Sequence, residues 1–318
     1  MNKRIIKAIL QKKFNEFVTS IKNSDVQDKV RKNSIITGGS IVSLLLKEKV
    51  NDFDIYFTNF ETAELVSRYY VAEFLRLHAD KDTPKPFVKI DEPEGKPKRV
   101  RIRIQSAGIA GENTPESQYQ YFEGRPLEEG ENYVKETVAG ILEDADGLDG
   151  TKLDVDEKTE KYRPVFLTDN AITLSNQIQL VIRFYGAADE IHKNYDFAHC
   201  TNYWESKDES LTLRQEALES ILARELRYVG SLYPVCSFIR TRKFIKAGWH
   251  INAGQMLKIC LQISELDMSN LEVLEDQLTG VDTAYFIQVI DYLKKRQIDD
   301  PSFVFGAPYL ISIIDRIF

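Results

Sequence analysis

Gly38-Gly39-Ser40, followed twelve residues later by Asp52-Phe53-Asp54-Ile55-Tyr56-Phe57, is the stretch that decides how this chain is read. A strand places residues i and i+2 on the same face. Asp52 and Asp54 therefore share one face, and Phe53, Ile55 and Phe57 share the other. Two carboxylates side by side repel each other unless a cation sits between them, and Mg²⁺ takes a few carboxylate oxygens together with phosphate oxygens. A glycine pair leaves backbone N–H groups open to wrap a phosphate. Seen alone, a Gly-Gly-Ser before a helix is an ordinary turn, and an Asp-x-Asp is a solvated strand edge. In this order, they describe a site for a metal–nucleoside triphosphate.

Outward from that stretch, residues 1–80 read as helix, helix, strand, helix. Leu10, Phe14, Phe17, Val18 and Ile21 give the first helix an apolar face, and the second helix starts at the glycines and carries Ile41 to Leu46. The strand is 52–57. Thr58-x-x-Glu61 forms a capping box before a helix with Val66, Tyr69, Tyr70, Phe74 and Leu77 on its inner face. Residues 81–165 change character. Pro84, Pro86, Pro93 and Pro97 break the segment, Arg99-Val100-Arg101-Ile102-Arg103-Ile104 alternates as a strand with a basic face, and an acidic, glycine-dotted stretch follows from about 123 to 160. This is read as an insertion with hairpins and loop. Core pattern returns at 166–204, with a central strand at Ile178–Phe184, a short helix from Ala187 to Lys193 and a further strand at Tyr195–Cys200. Residues 206–318 read as all-helical, with Thr212-x-x-Gln215 and Ser269-x-x-Glu272 as caps. Leu218, Ile221, Leu222, Leu226 and Val229 line the first of those helices.

The 318 residues are 43% hydrophobic and 29% charged, enough for one large or two modest domains. No apolar run reaches the roughly 18 residues of a membrane span, and the N-terminus lacks the pattern of a signal peptide. Cys200, Cys236 and Cys260 are odd in number and widely spaced, which suits free thiols in a reducing compartment, so the cytoplasm is the expected location. A formal charge of −7 argues against coating long nucleic acid, while leaving room for a nucleotide or a short RNA end.

The Gly38-Gly39-Ser40 turn and the Asp52-x-Asp54 strand together resemble the signature of the nucleotidyltransferase superfamily related to DNA polymerase β. The run from Asn170 through Ile178–Phe184 to Tyr195-Asp196-Phe197 looks like a pattern of virus- and phage-encoded relatives, which would put the chain in host cytoplasm. The resemblance implies an α+β fold: a small mixed sheet flanked by helices over residues 1–205, interrupted by the insertion at about 81–165. It also implies a helical domain at 206–318 that closes a nucleotide cleft. It implies Mg²⁺ or Mn²⁺ on Asp52, Asp54 and a third carboxylate, for which Asp196 is the first choice, with Asp154 and Asp156 as alternatives. Gly38, Gly39 and Ser40 would hold the β- and γ-phosphates. The implied reaction moves a nucleoside monophosphate from an NTP to a hydroxyl of an RNA 3′ end, a nucleotide or a protein side chain, releasing pyrophosphate. The alternative is a non-catalytic nucleotide-binding or scaffold protein that keeps the fold.

Further features are weighed beside this. Ser237, Arg240 and Lys243 follow one another at i, i+3 on one helix face, and the resemblance carries over to them a contact with the triphosphate. Arg99, Arg101 and Arg103 could touch phosphate, although pairing with the acidic insertion suits them better. Asp144 to Val155 fails as a calcium loop, because Leu148, Asp149 and Val155 stand where an oxygen ligand, a glycine and a glutamate are needed. His199-Cys200 has no partner pair at zinc spacing, and His192 has no His-Glu-x-x-His context. No Walker A sequence and no Gly-x-Ser-x-Gly elbow occurs.

Overall fold

Asn2 opens the first helix, α1 (Lys3–Ser20), by accepting from the N–H groups of Arg4 and Ile5. Ile6, Leu10, Phe14, Phe17 and Val18 are buried along its inner face, as the helical spacing predicts. The computed structural model describes residues 2–78, 85–92, 97–105, 160–168, 170–270, 273, 274 and 277. The chain divides into two units, Met1–His192 with Cys200–Arg214, and Lys193–His199 with Gln215–Phe318.

In the first unit, two elements appear that the sequence pattern hides. Helix α2 (Ser24–Lys32) is capped by Asn23, and strand β1 (Ser34–Thr37) follows it. All four residues of β1 are buried, so the strand lacks the period-2 alternation that would betray it. Then come α3 (Gly39–Leu46), β2 (Phe53–Phe57) and α4 (Phe60–Leu77). The cap of α4 is Asn59 in place of the expected Thr58 box: its side chain accepts from Thr62 N at 2.9 Å. Val66, Tyr70 and Phe74 are buried on α4 as expected.

Strands β3 (Lys85–Asp91) and β4 (Arg99–Gln105) pair as an antiparallel ribbon. Val100 and Ile102 are buried, and Arg99, Arg101 and Arg103 alternate with them. Arg101 Nε lies 3.1 Å from Asp91 Oδ2, and Arg99 donates to Asn170 Oδ1 at 2.7 Å. The acidic stretch up to residue 159, with Asp144, Asp154 and Asp156, lies outside the described residues, and Glu160 at its end pairs with Lys22 and Arg76.

The first unit is completed by β5 (Pro164–Leu167), β6 (Ala171–Leu174), β7 (Ile178–Tyr185), α5 (Ala188–His192), β8 (Tyr203–Glu205) and β9 (Ser210–Thr212). One sheet runs in the order β5-β6-β7-β2-β1-β8-β9. Among the described strands of this sheet only β2 and β7 pair in parallel; the remaining pairings are antiparallel. The fold is therefore α+β, with a mixed sheet, flanking helices and C-terminal helices. Cross-strand partners share a face, and the register draws two adjacent rows across the sheet. Ile172, Leu180, Ile55, Ile36, Trp204 and Leu211 form one, each at most 4% exposed. They join the side chains of α1 and α4 in the main core. At roughly 1.5–3 kcal/mol for each large apolar side chain buried, this row anchors the sheet. The next row, on the opposite face, is Thr173, Gln179, Asp54, Thr37, Tyr203 and Thr212.

In the second unit the described helices are α6 (Gln215–Ala223), α7 (Pro234–Lys246) and α8 (Ala253–Ser264). The strand expected at Tyr195–Cys200 is absent. Phe197 makes a single bridge to Tyr228, and Ala198–Thr201 turns as a 3₁₀ helix. Phe197, Ala198 and His199 are consecutively buried, which a half-buried strand does not allow. Thr212 ends β9 and does not cap α6, so the region after 206 is not wholly helical. The helix stops at Ala223 because Arg224 takes a left-handed φ of 50°, and beyond it Val229 is exposed, as Leu222 is within the helix. Among the described residues no helix is long and apolar enough to cross a membrane, and Cys200, Cys236 and Cys260 are free thiols.

Candidate functional site

The turn between β1 and α3 is built by Gly38. Its φ of 88° and ψ of −148° are open to glycine and strained for other residues, and its N–H donates to Cys200 O at 3.2 Å. Gly39 begins α3, and a Cβ there would meet nothing within 4 Å, so the glycine leaves open space at the helix start. No side chain caps α3 and no acid lies in its first turn. The first N–H groups of a helix seek acceptors, and the dipole there favours an anion. Ser40 is 2% exposed, and its Oγ has no hydrogen-bond partner among the described residues. A buried hydroxyl without a partner loses roughly 1–3 kcal/mol of hydration. An oxyanion at the turn would supply the missing acceptor.

The acid pair sits at the same end of the sheet. Asp54 is the second residue of β2, half-buried, with Thr37 opposite on one side and Gln179 on the other. Asp52 is exposed and immediately precedes the strand. Thr37 is thus the cross-strand partner of Asp54 and the covalent neighbour of Gly38.

Around Thr37 lies a group the sequence reading did not assign. His192 Nε2 is 2.8 Å from Thr37 Oγ1, and both side chains are buried. Burial, and then the Arg214 guanidinium, lower the His192 pKa to about 4 against a smaller pull from Asp189, so the ring is neutral. Arg214 pairs with Asp189 and lies over the Tyr203 ring, 5.5 Å from its centroid. Nothing in the local sequence signals His192: it reaches Thr37 from the end of α5, while the pairing of β8 with β1 sets Tyr203 opposite Thr37, and neither approach is written in any periodicity.

In the second unit, three expected site residues meet each other. Asp196 is 7% exposed. Its Oδ1 accepts from Ser237 Oγ at 2.8 Å, and its Oδ2 forms an ion pair with Arg240. Ser237 Oγ also lies 3.1 Å from Tyr233 O. Lys243 is exposed one turn further along α7. So Asp52, Asp54, Gly38, Gly39 and Ser40 belong to the first unit, and Asp196, Ser237, Arg240 and Lys243 to the second. Among the described residues no group of three or more His, Cys, Asp or Glu is gathered as a metal centre.

His199 is buried against Phe197, Phe244 and Trp249, with the Trp249 ring centroid at 4.2 Å. Neither ring nitrogen has a hydrogen-bond partner among the described residues, and burial lowers its pKa to about 3.

Residues 8–224 match the family described as Gabija anti-defense 2 family protein. A curated relative, "Gabija anti-defense 2" of Bacillus phage SPbetaL7, is 25% identical over 107 residues, covering 33% of this chain and 27% of that protein. The match thus spans about a quarter of the relative's length. Among solved structures, the Thermotoga maritima CCA-adding enzyme complexed with tRNA is similar at a TM-score of 0.36 and 9% identity, over 92% of this chain and 57% of the other. The Bacillus stearothermophilus CCA-adding enzyme in complex with CTP is similar at 0.36 and 12%, over 87% and 51%. The chain spans about half the length of these enzymes.

Proposed function

The chain belongs to the Gabija anti-defense 2 family, and we propose that it binds a nucleoside triphosphate with a divalent metal and transfers the nucleoside monophosphate to a hydroxyl acceptor. One observation carries the reading: the buried Ser40 Oγ, without a partner among the described residues, at an uncapped helix start, in the turn that joins Asp54's strand partner to α3. The backbone N–H groups of Gly39 and Ser40 and the Ser40 hydroxyl would donate to the β- and γ-phosphates. Asp52 and Asp54 would hold Mg²⁺ or Mn²⁺, and phosphate oxygens and water complete such a shell where a protein offers one or two carboxylates. The metal, when bound, neutralises phosphate charge and lowers the pKa of an attacking hydroxyl. Both oxygens of Asp196 are engaged in the second unit, Oδ1 by Ser237 and Oδ2 by Arg240, so this reading rests the metal on Asp52 and Asp54. Ser237 and Arg240 are engaged with Asp196 within the second unit, so this reading rests the phosphate contacts on the Gly38-Gly39-Ser40 turn and gives Ser237, Arg240 and Lys243 no part in them.

The description of the family supports looking for this chemistry in phage counter-defence, so a component of the Gabija system is the first acceptor to try, ahead of an RNA 3′ end or a free nucleotide. A second reading, nucleotide capture without turnover, is favoured by the occupied Asp196 carboxylate. One experiment separates them. The protein is incubated with Mg²⁺ and each labelled NTP, alone and with each acceptor pool, and pyrophosphate release is followed beside nucleotide binding. Release that disappears in Asp52→Ala/Asp54→Ala supports transfer. Binding without release in every pool leaves capture. Neither binding nor release sinks both.

A further inference from the structure

Thr37 sits at a junction. The chain leaves the first unit after His192 and returns at Cys200, and both ends of that excursion are tied to this one threonine. Its Oγ1 lies 2.9 Å from Asn202 O, 3.3 Å from Cys200 O and 2.8 Å from His192 Nε2. Cys200 O in turn accepts from the Gly38 N–H. A hydroxyl has one proton to give. With that proton directed to a carbonyl, Oγ1 can meet Nε2 only as an acceptor, so His192 carries its hydrogen on Nε2 and donates. The ring is held for this by its burial and by the Tyr203 ring, edge-on at 5.7 Å.

We propose that His192 is a positioning residue for nucleotide binding: through Thr37 it fixes the Gly38-Gly39-Ser40 turn and the strand position of Asp54. This rests on the triphosphate reading of that turn. The argument is one of connectivity. A turn of Thr37's side chain moves the peptide that leads into Gly38, and it loosens the carbonyl that receives the Gly38 N–H. The same residue is the register partner of Asp54, so the phosphate-binding N–H groups and the metal-binding carboxylate share one support. Removing an outer residue that hydrogen-bonds a metal-binding side chain typically costs on the order of 10–100-fold in affinity or activity, and a residue that supports a phosphate turn is expected to act on the same order. A neutral imidazole suits the task, because its donor stays in place across the neutral pH range.

The test uses the full chain and titrations with non-hydrolysable Mg·ATP, Mg·GTP, Mg·CTP and Mg·UTP analogues, each paired with thermal melting. His192→Gln keeps an N–H donor near the Nε2 position, and His192→Leu removes it. The expected result is a loss of about tenfold or more in affinity for His192→Leu, with His192→Gln within about threefold of the parent protein. A residue of packing value alone would lower the melting temperature in His192→Leu and leave the affinity of the folded protein unchanged, and that result overturns the proposal. Equal weakness of both variants also overturns it, since the donor would then not matter. Should His192→Leu fail to fold, Thr37→Val against Thr37→Ser asks the same question of the hydroxyl, and parental affinity in Thr37→Val overturns the proposal. A parent protein that binds none of the four analogues removes the triphosphate reading and this inference together. Binding by the parent and by His192→Leu alike removes the inference alone.

Discussion

Ser40 and Ser237 are both fully buried, both near the start of a helix, and both read from sequence as phosphate contacts. Their surroundings differ. Ser237 Oγ is engaged by Asp196 and Tyr233 O, while Ser40 Oγ has no partner among the described residues. Around Ser237 the fold answers its own polar groups, and Arg240 completes the set on the other Asp196 oxygen. Around Ser40 it leaves a hydroxyl, an uncapped helix and open space beside Gly39. The contrast teaches that residue type and spacing nominate both places, but only unsatisfied polarity points to a ligand.

The most forceful way to break this contrast is Asp54→Asn. Removing one group that stabilises transition-state charge typically costs on the order of 10²–10³ in rate, so on the proposed reading nucleotide transfer should fall by at least that order, and the rise in melting temperature on adding Mg·NTP should vanish. An undiminished rise would move the site away from the turn. Next comes the second unit. Removing one partner of a buried ion pair destabilises by roughly 3–5 kcal/mol, and exposed pairs by far less. Arg240's side chain is 36% exposed, so Arg240→Met should destabilise by about 2 kcal/mol in urea melts. Asp196→Asn should weaken the fold similarly and keep the Mg·NTP-dependent rise. If the rise is lost while the variant stays folded, Asp196 is the third metal ligand after all.

The serines themselves give a smaller, sharper pair of effects. Ser40→Ala should leave stability unchanged or slightly higher, because it deletes a buried hydroxyl that has no partner among the described residues, and should weaken Mg·NTP binding by about tenfold. Ser237→Ala should do the reverse, with a loss of about 1–2 kcal/mol in stability and unaltered binding. Identical behaviour of the two would erase the distinction.

The smallest effect is in pH. His192 and His199 have folded pKa values lowered from 6.5 to about 4 and about 3. Below about pH 6.5 the unfolded chain takes up protons that the folded chain refuses, so stability is full above that pH and is lost as pH falls towards those values. Between pH 7.5 and 5.5 each histidine should contribute about 1 kcal/mol of the loss. His199→Phe, which keeps the aromatic cluster, should remove its share. Urea midpoints of wild type and variant that fall in parallel would show that His199 is not held neutral.

The sequence made the Asp54 strand, the glycine turn and the helix faces of α1 and α4 legible, because each has an amphipathic period or a backbone demand that only glycine meets. It hid β1, whose four residues are buried on both faces and therefore carry no alternation. It misplaced Asp196 on a strand, since a buried Phe197-Ala198-His199 run looks equally apolar in a bridge and a 3₁₀ turn. It gave no sign that Arg240 pairs with Asp196, because the two lie 44 residues apart in the chain. His192 was passed over for want of a local motif. Its significance comes from Thr37, 155 residues earlier in the chain.

The sheet order has a consequence for synthesis. The β1–β2 pair at its centre is flanked by β7 and β8, and β7 begins at Ile178, after Phe57 has long left the ribosome. At translation speeds of roughly 5–20 residues per second, the growing chain waits on the order of ten seconds with the β2 edge unpaired. The edge of β1 waits longer, until Tyr203–Glu205 arrives. Unpaired strand edges invite association with other chains. The nascent polypeptide therefore carries its half-formed glycine turn through a vulnerable interval, and crowded or rapid expression should favour aggregates seeded at β1 and β2.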